Sequence, residues 1–253
     1  MTYPTLWHFP ISHFNEKVRW ALDYKAIPHT RRALFLEYLP MALWKTRQPS
    51  LPILIQNGRA LADSTRIIEA LERQQPDPPL YPADKHLRQK ALELEDFLDD
   101  ELGPGLRAAL IGPLLDQNPA LAIAALGLGQ KPGALRFARA GFPLMRAVYK
   151  MRHKITPESI KAGHDKIITA LDRIEADLQP SGYLVGDRFS IADLTAAALL
   201  FPVAQPAEYP YTLPTSVMEH VRQFSASVSG RPAVQWVRDM YRRHRGKSAE
   251  VTA

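Results

Sequence analysis

Two pairs of polar residues stand where helices are predicted to begin. Ser12 and His13 precede apolar residues at helical spacing, and Asp63 and Ser64 do the same further along the chain. The first turn of a helix has N–H groups without intrahelical partners and a partial positive charge, so it favours anions. A side-chain oxygen there can simply cap the helix, or it can contact a bound anion. Both uses are open for Ser12 and for the Asp63-Ser64 pair.

The composition limits the chemistry that these residues can perform. The 253 residues include no cysteine, which excludes disulfides, cysteine-ligated zinc, iron–sulfur clusters and a cysteine nucleophile. Any sulfur chemistry must therefore use a sulfur atom of the substrate. The hydrophobic content of 46% and charged content of 23% are typical of a soluble globular protein. No signal peptide or membrane span is predicted, so a cytoplasmic location is expected.

Six elements are predicted to position the two polar pairs, in the order strand, helix, strand, helix, hairpin, helix. They lie at 5–9, 14–22, 30–34, 37–47, 52–62 and from 63 onward. The hairpin is the sharpest of these predictions, because Asn57-Gly58 accepts the positive φ angles of a type I′ turn. The order is that of a thioredoxin-like domain, βαβ-α-ββα.

A proline-rich segment separates this domain from a second, helical one. Four prolines lie between positions 76 and 82, which favours an extended linker. Beyond it apolar residues recur at helical spacing. Ser190 and Asp193 form a capping-box pattern, which Phe189 and Leu194 extend as a hydrophobic staple.

The predicted fold class is therefore α+β. We expect a thioredoxin-like domain over 1–76, a linker over 77–88, an all-helical domain over 89–242 and a basic, disordered tail over 243–253.

Together these motifs resemble the cytosolic glutathione transferases, with a serine-type-like start. The resemblance covers about 1–112 and 155–240, and the segment at about 113–154 matches nothing specific. It implies glutathione as co-substrate, no metal, a small apolar electrophile as second substrate, and a homodimer.

The resemblance also implies residues that hold glutathione. Leu51 would pair its backbone with the cysteinyl part, and Pro52 after it would be cis, at a cost of about 0.5–1 kcal/mol. Asp63 and Ser64 match the acidic-serine pair that binds the γ-glutamyl carboxylate. Without the resemblance, an ordinary trans proline and a plain helix cap would explain these residues.

The glycyl carboxylate would meet a cation or an amide of the second helix. Lys45 is the first candidate, with Gln48 and Arg47 as alternatives. Lys17 and Arg19 are interpreted as structural ion-pair residues.

The resemblance leaves open which group activates the thiol. A thiol with a pKa of about 8.5 is only slightly ionised at neutral pH, so a donor beside the sulfur would favour the thiolate. Ser12 lies where serine-type members have their hydroxyl, and Asn15 could also donate. His8 lies near the place of the tyrosine in other members. For His8 and His13, an ordinary surface or loop histidine is the favoured interpretation.

The unmatched segment is basic and amphipathic. From Gln117 to Pro157 there is no acidic residue but there are seven Lys or Arg, and the helical pattern is interrupted by Gly141 and Pro143. A lid or wall of the substrate pocket is favoured over membrane-surface contact through 131–154 or a protein partner. No nucleic acid partner is expected, because few aromatic residues alternate with the charges.

The predicted function is that of a glutathione transferase that stabilises the glutathione thiolate and conjugates it to an apolar electrophile. The alternative is a non-catalytic binding or interaction protein of the same fold. A thiol-dependent oxidoreductase is disfavoured because the chain has no cysteine.

Overall fold

The first part of the molecule is a four-stranded mixed sheet with helices packed on it. The computed structural model describes residues 3–251. The elements are β1 (Thr5–His8), α1 (His13–Tyr24), β2 (Thr30–Ala33), α2 (Tyr38–Thr46), β3 (Ile53–Gln56), β4 (Arg59–Ala62) and α3 (Ser64–Gln74). The strand order is β2-β1-β3-β4, with β1 parallel to β2 and antiparallel to β3.

The second part is helical throughout. Its elements are α4 (Lys85–Phe97), α5 (Gly103–Leu106), α6 (Gly112–Gln117), α7 (Pro119–Leu126), α8 (Pro132–His153), α9 (Pro157–Asp177), α10 (Ile191–Ala204), α11 (Thr215–Val228) and α12 (Pro232–His244). Two π-helical segments, Leu98–Leu102 and Arg107–Ile111, join α4 to α5 and α5 to α6. The predicted α+β class, a thioredoxin-like sheet followed by helices, is therefore confirmed. The domain boundaries remain a proposal.

The predicted hairpin turn and helix cap are both present in the structure. Asn57 and Gly58 have φ angles of 51° and 75°, the positive values that the hairpin requires. The Asp193 carboxylate accepts hydrogen bonds from the Ser190 amide at 2.9 Å and the Leu184 amide at 2.8 Å. The capping box thus fixes the start of α10, the most buried helix, which packs against α1.

Lys17 and Arg19 form buried ion pairs, as predicted, and those of Lys17 connect α1 to the helical part. Lys17 Nζ lies 2.7 Å from a Glu95 carboxylate oxygen and 2.6 Å from one of Asp99. Arg19 Nε lies 2.8 Å from a Glu16 carboxylate oxygen. Both cations are fully buried. Burying a charge is unfavourable unless it is paired, and the carboxylates offset this cost.

The prediction of a disordered basic tail is wrong for residues 243–251. Arg245 is buried, and its guanidinium lies 2.7 Å from Glu16 and 2.8 Å from Asp23. The Val251 amide donates to the His29 carbonyl at 2.8 Å, and Glu250 forms a β-bridge with His29. The sequence showed the positive charge but not its two distant carboxylates. Residues 252 and 253 lie outside the described residues.

The interruption predicted at Gly141 and Pro143 is also absent within the described chain. Helix α8 runs through both residues without a break. Pro143 is exposed, while Ala138 and Phe142 are buried in a cluster with residues of α6 and α7. Packing on the buried side keeps the helix intact although proline removes one backbone hydrogen bond. Every helix within residues 3–251 is too short or too polar to span a bilayer.

Candidate functional site

A cavity of about 410 Å³ lies where the sheet domain meets the unmatched segment. Its walls come from the turn between β1 and α1, from α2 and the residues after it, from the second π-helical segment and from α8. The lining residues are Phe9, Ile11, Ser12, His13, Phe14, Phe35, Leu36, Tyr38, Leu39, Pro49, Ser50, Leu51, Arg107, Ile111, Leu126, Gly141, Leu144, Met145, Val148, Tyr149, Arg152 and His153. The size and the mainly apolar lining are those of a small-molecule site.

Of the two predicted catalytic residues, Ser12 and Asn15, Ser12 lines the cavity. It lies at the N-cap of α1, where its side chain does not cap the helix. Its Oγ accepts a hydrogen bond from Asn15 Nδ2 at 2.6 Å. Among residues 3–251 this hydroxyl has no acceptor, so its own proton is available to a ligand in the cavity.

Asn15 is completely buried and does not line the cavity. Its Oδ1 accepts from the Phe9 amide at 3.2 Å while its Nδ2 donates to Ser12. Both ends of the side chain are therefore fixed. Asn15 orients the Ser12 hydroxyl and is too deep to donate to a ligand itself.

The two histidines near Ser12 are neutral. His8 is buried against Arg19, with Nδ1 and Nη1 2.9 Å apart, and burial with the charge of Arg19 lowers its pKa to about 2. His13 lines the cavity, and burial with the charge of Arg107 lowers its pKa to about 3. The interpretation of both residues as surface or loop histidines is wrong, because His8 ends β1, His13 begins α1, and both are buried. His13 is part of the cavity wall, and its Nε2 has no hydrogen-bond partner among the described residues.

The predicted glutathione contacts are only partly brought to the cavity. Leu51 lines it, and the Leu51–Pro52 peptide bond is cis as expected. Ser64 is buried in the first turn of α3 and does not line the cavity. Asp63 caps α3 by accepting from the Arg66 amide at 3.1 Å. Its φ of 80° is a strained value for a residue other than glycine.

Lys45 lies away from the cavity. It is exposed on α2 and its Nζ lies 4.2 Å from the centre of the Trp44 ring. The cations in the cavity wall are instead Arg107 and Arg152.

The sequence did not single out these arginines. Arg107 begins a π-helical segment, a feature often found at functional sites but without a clear local sequence signal. Arg152 belongs to the basic segment, for which a pocket wall was the favoured interpretation. Helix α8 supplies that wall, from Gly141 to His153. No group of three or more histidine or acidic side chains within residues 3–251 has the geometry of a metal site.

Comparison with known proteins identifies the family. Residues 6–79 match the model of the glutathione S-transferase N-terminal domain, and residues 157–244 match that of the C-terminal domain. The two matches flank the segment that carries α7 and α8. The chain belongs to the glutathione S-transferase family.

Three similar proteins share about a fifth of their residues with this chain. The chain is 23% identical to FtsZ-localized protein A of Caulobacter vibrioides, over 82% of the chain and 80% of the relative. It is 22% identical to a probable glutathione S-transferase of Nicotiana tabacum, over 75% of the chain and 65% of the relative. A glutathione S-transferase of Methylobacillus flagellatus, solved with glutathione bound, is 18% identical and superimposes with a TM-score of 0.57 over 92% of this chain and 98% of that one.

Proposed function

We propose that this protein is a glutathione transferase that holds glutathione as a thiolate beside Ser12 and transfers its sulfur to an apolar electrophile. The observation that carries the proposal is the Ser12 hydroxyl, which faces the cavity with its oxygen already bonded to Asn15. Because that bond occupies a lone pair, the hydroxyl proton is left to donate to a sulfur anion.

The chemistry needs only modest assistance. The thiol loses its proton to solvent, and the sulfur lone pair forms a bond to an electrophilic carbon. A leaving group departs with its electron pair or, in an addition, the neighbouring atom takes up a proton. Thiolate stabilisation and the proximity of two bound reactants supply the rate enhancement.

Glutathione would extend from Ser12 along the sheet domain. Leu51 would offer its backbone to the cysteinyl part, beside cis Pro52. Ser64, with the amides in the first turn of α3, would bind the γ-glutamyl carboxylate. For the glycyl carboxylate, Lys45 has little support because it is exposed and outside the cavity. A homodimer remains part of this proposal.

Conjugation of glutathione to 1-chloro-2,4-dinitrobenzene tests this function. Loss of a hydrogen bond to a charged group amounts to about 1.5–3 kcal/mol, so Ser12→Ala should lower kcat/KM by about 10- to 100-fold at neutral pH. Asn15→Ala should lower it less, because the hydroxyl remains. Ser50→Ala removes the same group elsewhere in the cavity wall and should change kcat/KM by less than about twofold. Equal rates for Ser12→Ala and the unsubstituted protein would refute the role of Ser12.

A second candidate is an interaction protein that has kept the fold without the catalysis. It is favoured by the relative named FtsZ-localized protein A and by exposed apolar residues on α8. Phe137 and Met151 are 76% and 75% exposed, and Leu144 between them, at the rim of the cavity, is 71% exposed. Intervals of seven residues place all three on one side of α8. Exposed apolar side chains in one stripe are typical of a protein contact.

Binding to immobilised FtsZ separates the two candidates. If α8 is an interaction surface, Phe137→Asp and Met151→Asp should weaken binding by about tenfold or more, because a charge enters an apolar contact. Leu43→Asp, at a partly exposed site on α2, is the control. Bound glutathione without conjugation, together with such binding, would favour this second candidate.

A further inference from the structure

The cavity wall contains two arginines that have no carboxylate partner. Arg107 Nη1 lies 3.3 Å from His153 Nδ1, and Arg152 Nη1 donates to the Tyr38 hydroxyl at 2.9 Å. Within residues 3–251 neither guanidinium lies within 4.0 Å of a carboxylate oxygen. By contrast, Arg146 and Lys150, which lie on α8 as Arg152 does, both pair with the Asp116 carboxylate, at N···O distances of 2.6 and 2.8 Å.

The surroundings of these two arginines do not balance their charge. The cavity lining contains no acidic residue of the described chain. Burial and the charge of Arg107 lower the pKa values of His13 and His153 to about 3, with Arg152 adding to the effect on His153. Both histidines are therefore neutral at physiological pH. Two positive charges remain in a wall that is otherwise apolar and aromatic.

Both arginines are partly buried, so this charge is partly desolvated. Arg107 lies against the ring of Phe14, 5.8 Å from its centre, and Arg152 lies 6.0 Å from the centre of the Tyr38 ring. Each planar guanidinium is thereby held in position beside an aromatic surface. Partly desolvated arginines of this kind bind carboxylates through paired, charge-assisted hydrogen bonds.

We infer that the second substrate of this cavity is an apolar, aromatic molecule that carries a carboxylate, and that Arg107 and Arg152 bind this carboxylate. The inference rests on the proposed function, since it names the acceptor that would share the cavity with glutathione. Ser12 and both arginines line one cavity, and Arg107 lies against Phe14, two residues after Ser12. An acceptor held by the arginines would therefore share the cavity with the sulfur of glutathione bound beside Ser12. Arg107 and Arg152 are then specificity-determining residues.

Binding of two probes of the same shape tests the inference. 1-Naphthylacetate carries a carboxylate and 1-naphthylacetamide does not, and both are titrated by calorimetry with the full-length protein. The titrations are run with and without saturating S-methylglutathione, which occupies the glutathione site but cannot react. The carboxylate should bind about tenfold more tightly than the amide.

Variants assign this preference to the arginines. Arg107→Gln and Arg152→Gln should each remove most of it, while Arg139→Gln, an exposed residue of α8 outside the cavity, should preserve it. Arg152→Lys should restore part of the preference, because lysine keeps the charge without the planar fork.

Four outcomes would overturn the inference. These are equal binding of the two probes, no binding of either, an unchanged preference in both glutamine variants, and a loss of S-methylglutathione binding in those variants without a change in preference. The last result would assign the arginines to a glutathione carboxylate. A carboxylate preference in a protein that binds no S-methylglutathione would instead refute the proposed function and support the anion site.

Discussion

The interface between the sheet domain and the helices uses its cations differently from the cavity wall. At the interface Lys17, Arg19 and Arg245 are buried, and each contacts at least one carboxylate at 2.6–2.8 Å. In the cavity the hydrogen-bond partners of Arg107 and Arg152, among residues 3–251, are a histidine and a tyrosine. The free energy of burying a charge is offset at the interface by an acidic partner from the protein itself. In the cavity that partner is left for a ligand to supply.

This comparison separates cations that hold the fold from those that recognise a ligand. Glu16 connects α1 to the end of the chain, because its carboxylate contacts both Arg19 and Arg245. Asp23 has a similar place between Arg31 and Arg245, and these arginines hold its pKa below the ordinary value although burial opposes the shift. Residues 245–251 are therefore part of the interface between α1 and the helical part.

The largest expected effect on stability is that of breaking the interface network. Glu16→Gln would leave two buried guanidinium groups without their shared carboxylate, and the free energy of unfolding should fall by about 3–5 kcal/mol. Urea unfolding followed by circular dichroism measures the change. Glu219→Gln removes the same charge from an exposed pair with Arg222 and should change stability by about 0–1 kcal/mol. Similar losses in the two variants would contradict the distinction.

A smaller effect is expected from the neutral histidine in the cavity. The folded-state pKa of His13 is lowered to about 3, below the value of about 6.5 in an unfolded chain. Between these two pH values only the unfolded state takes up the proton. The contribution of neutral His13 to the free energy of unfolding is therefore fully present above about pH 6.5 and decreases as the pH falls. His13 alone should reduce the free energy of unfolding by about 2 kcal/mol between pH 7 and pH 5.

His13→Asn should remove this part of the pH dependence. The measurement is urea unfolding at pH 7 and pH 5, compared as a difference so that other histidines cancel. His86→Asn, at an exposed position, is the control. A pH dependence that is the same in all three proteins would show that His13 is not kept neutral by burial.

The smallest effect on stability is expected at the cavity arginines. Arg152→Gln would remove a hydrogen bond to Tyr38 but no ion pair. Because both side chains keep partial access to water, which can replace that bond, the free energy of unfolding should change by only about 1 kcal/mol. Thermal unfolding with and without 1-naphthylacetate measures both roles, since a ligand that binds only the folded state raises the Tm. A large loss of stability without ligand would place Arg152 with the structural cations.

The features that were predicted correctly are those that have local causes. The Asn57-Gly58 turn and the Ser190–Asp193 capping box each depend on a few neighbouring residues, so the hairpin and the start of α10 could be predicted from the sequence. The cis bond before Pro52 was predicted from the family resemblance, not from its neighbours. The charged residues of α1 are evident in the sequence, and the interpretation of Lys17 and Arg19 as ion-pair residues was correct.

The features that were missed depend on distant contacts. Arg245 is ordered by Glu16 and Asp23, which lie at the other end of the chain. Arg107 reaches the cavity from a π-helical segment between α5 and α6, and Arg152 reaches it because α8 folds over the sheet domain. Asn15 was placed among the possible thiol donors because of its position in the family resemblance, three residues after Ser12. Its complete burial behind Ser12 depends on the packing of α1 and could not be seen in that spacing.

The most direct test of the central claim is an ultraviolet titration of the thiolate of bound glutathione. With the unsubstituted protein, the thiolate band should appear at a pH at least about 1 unit below the value of about 8.5 for an ordinary thiol, because Ser12 donates to the sulfur. In Ser12→Ala the band should return toward the ordinary value. Bound glutathione that ionises at the ordinary pH in both proteins would contradict the claim that this cavity holds a thiolate.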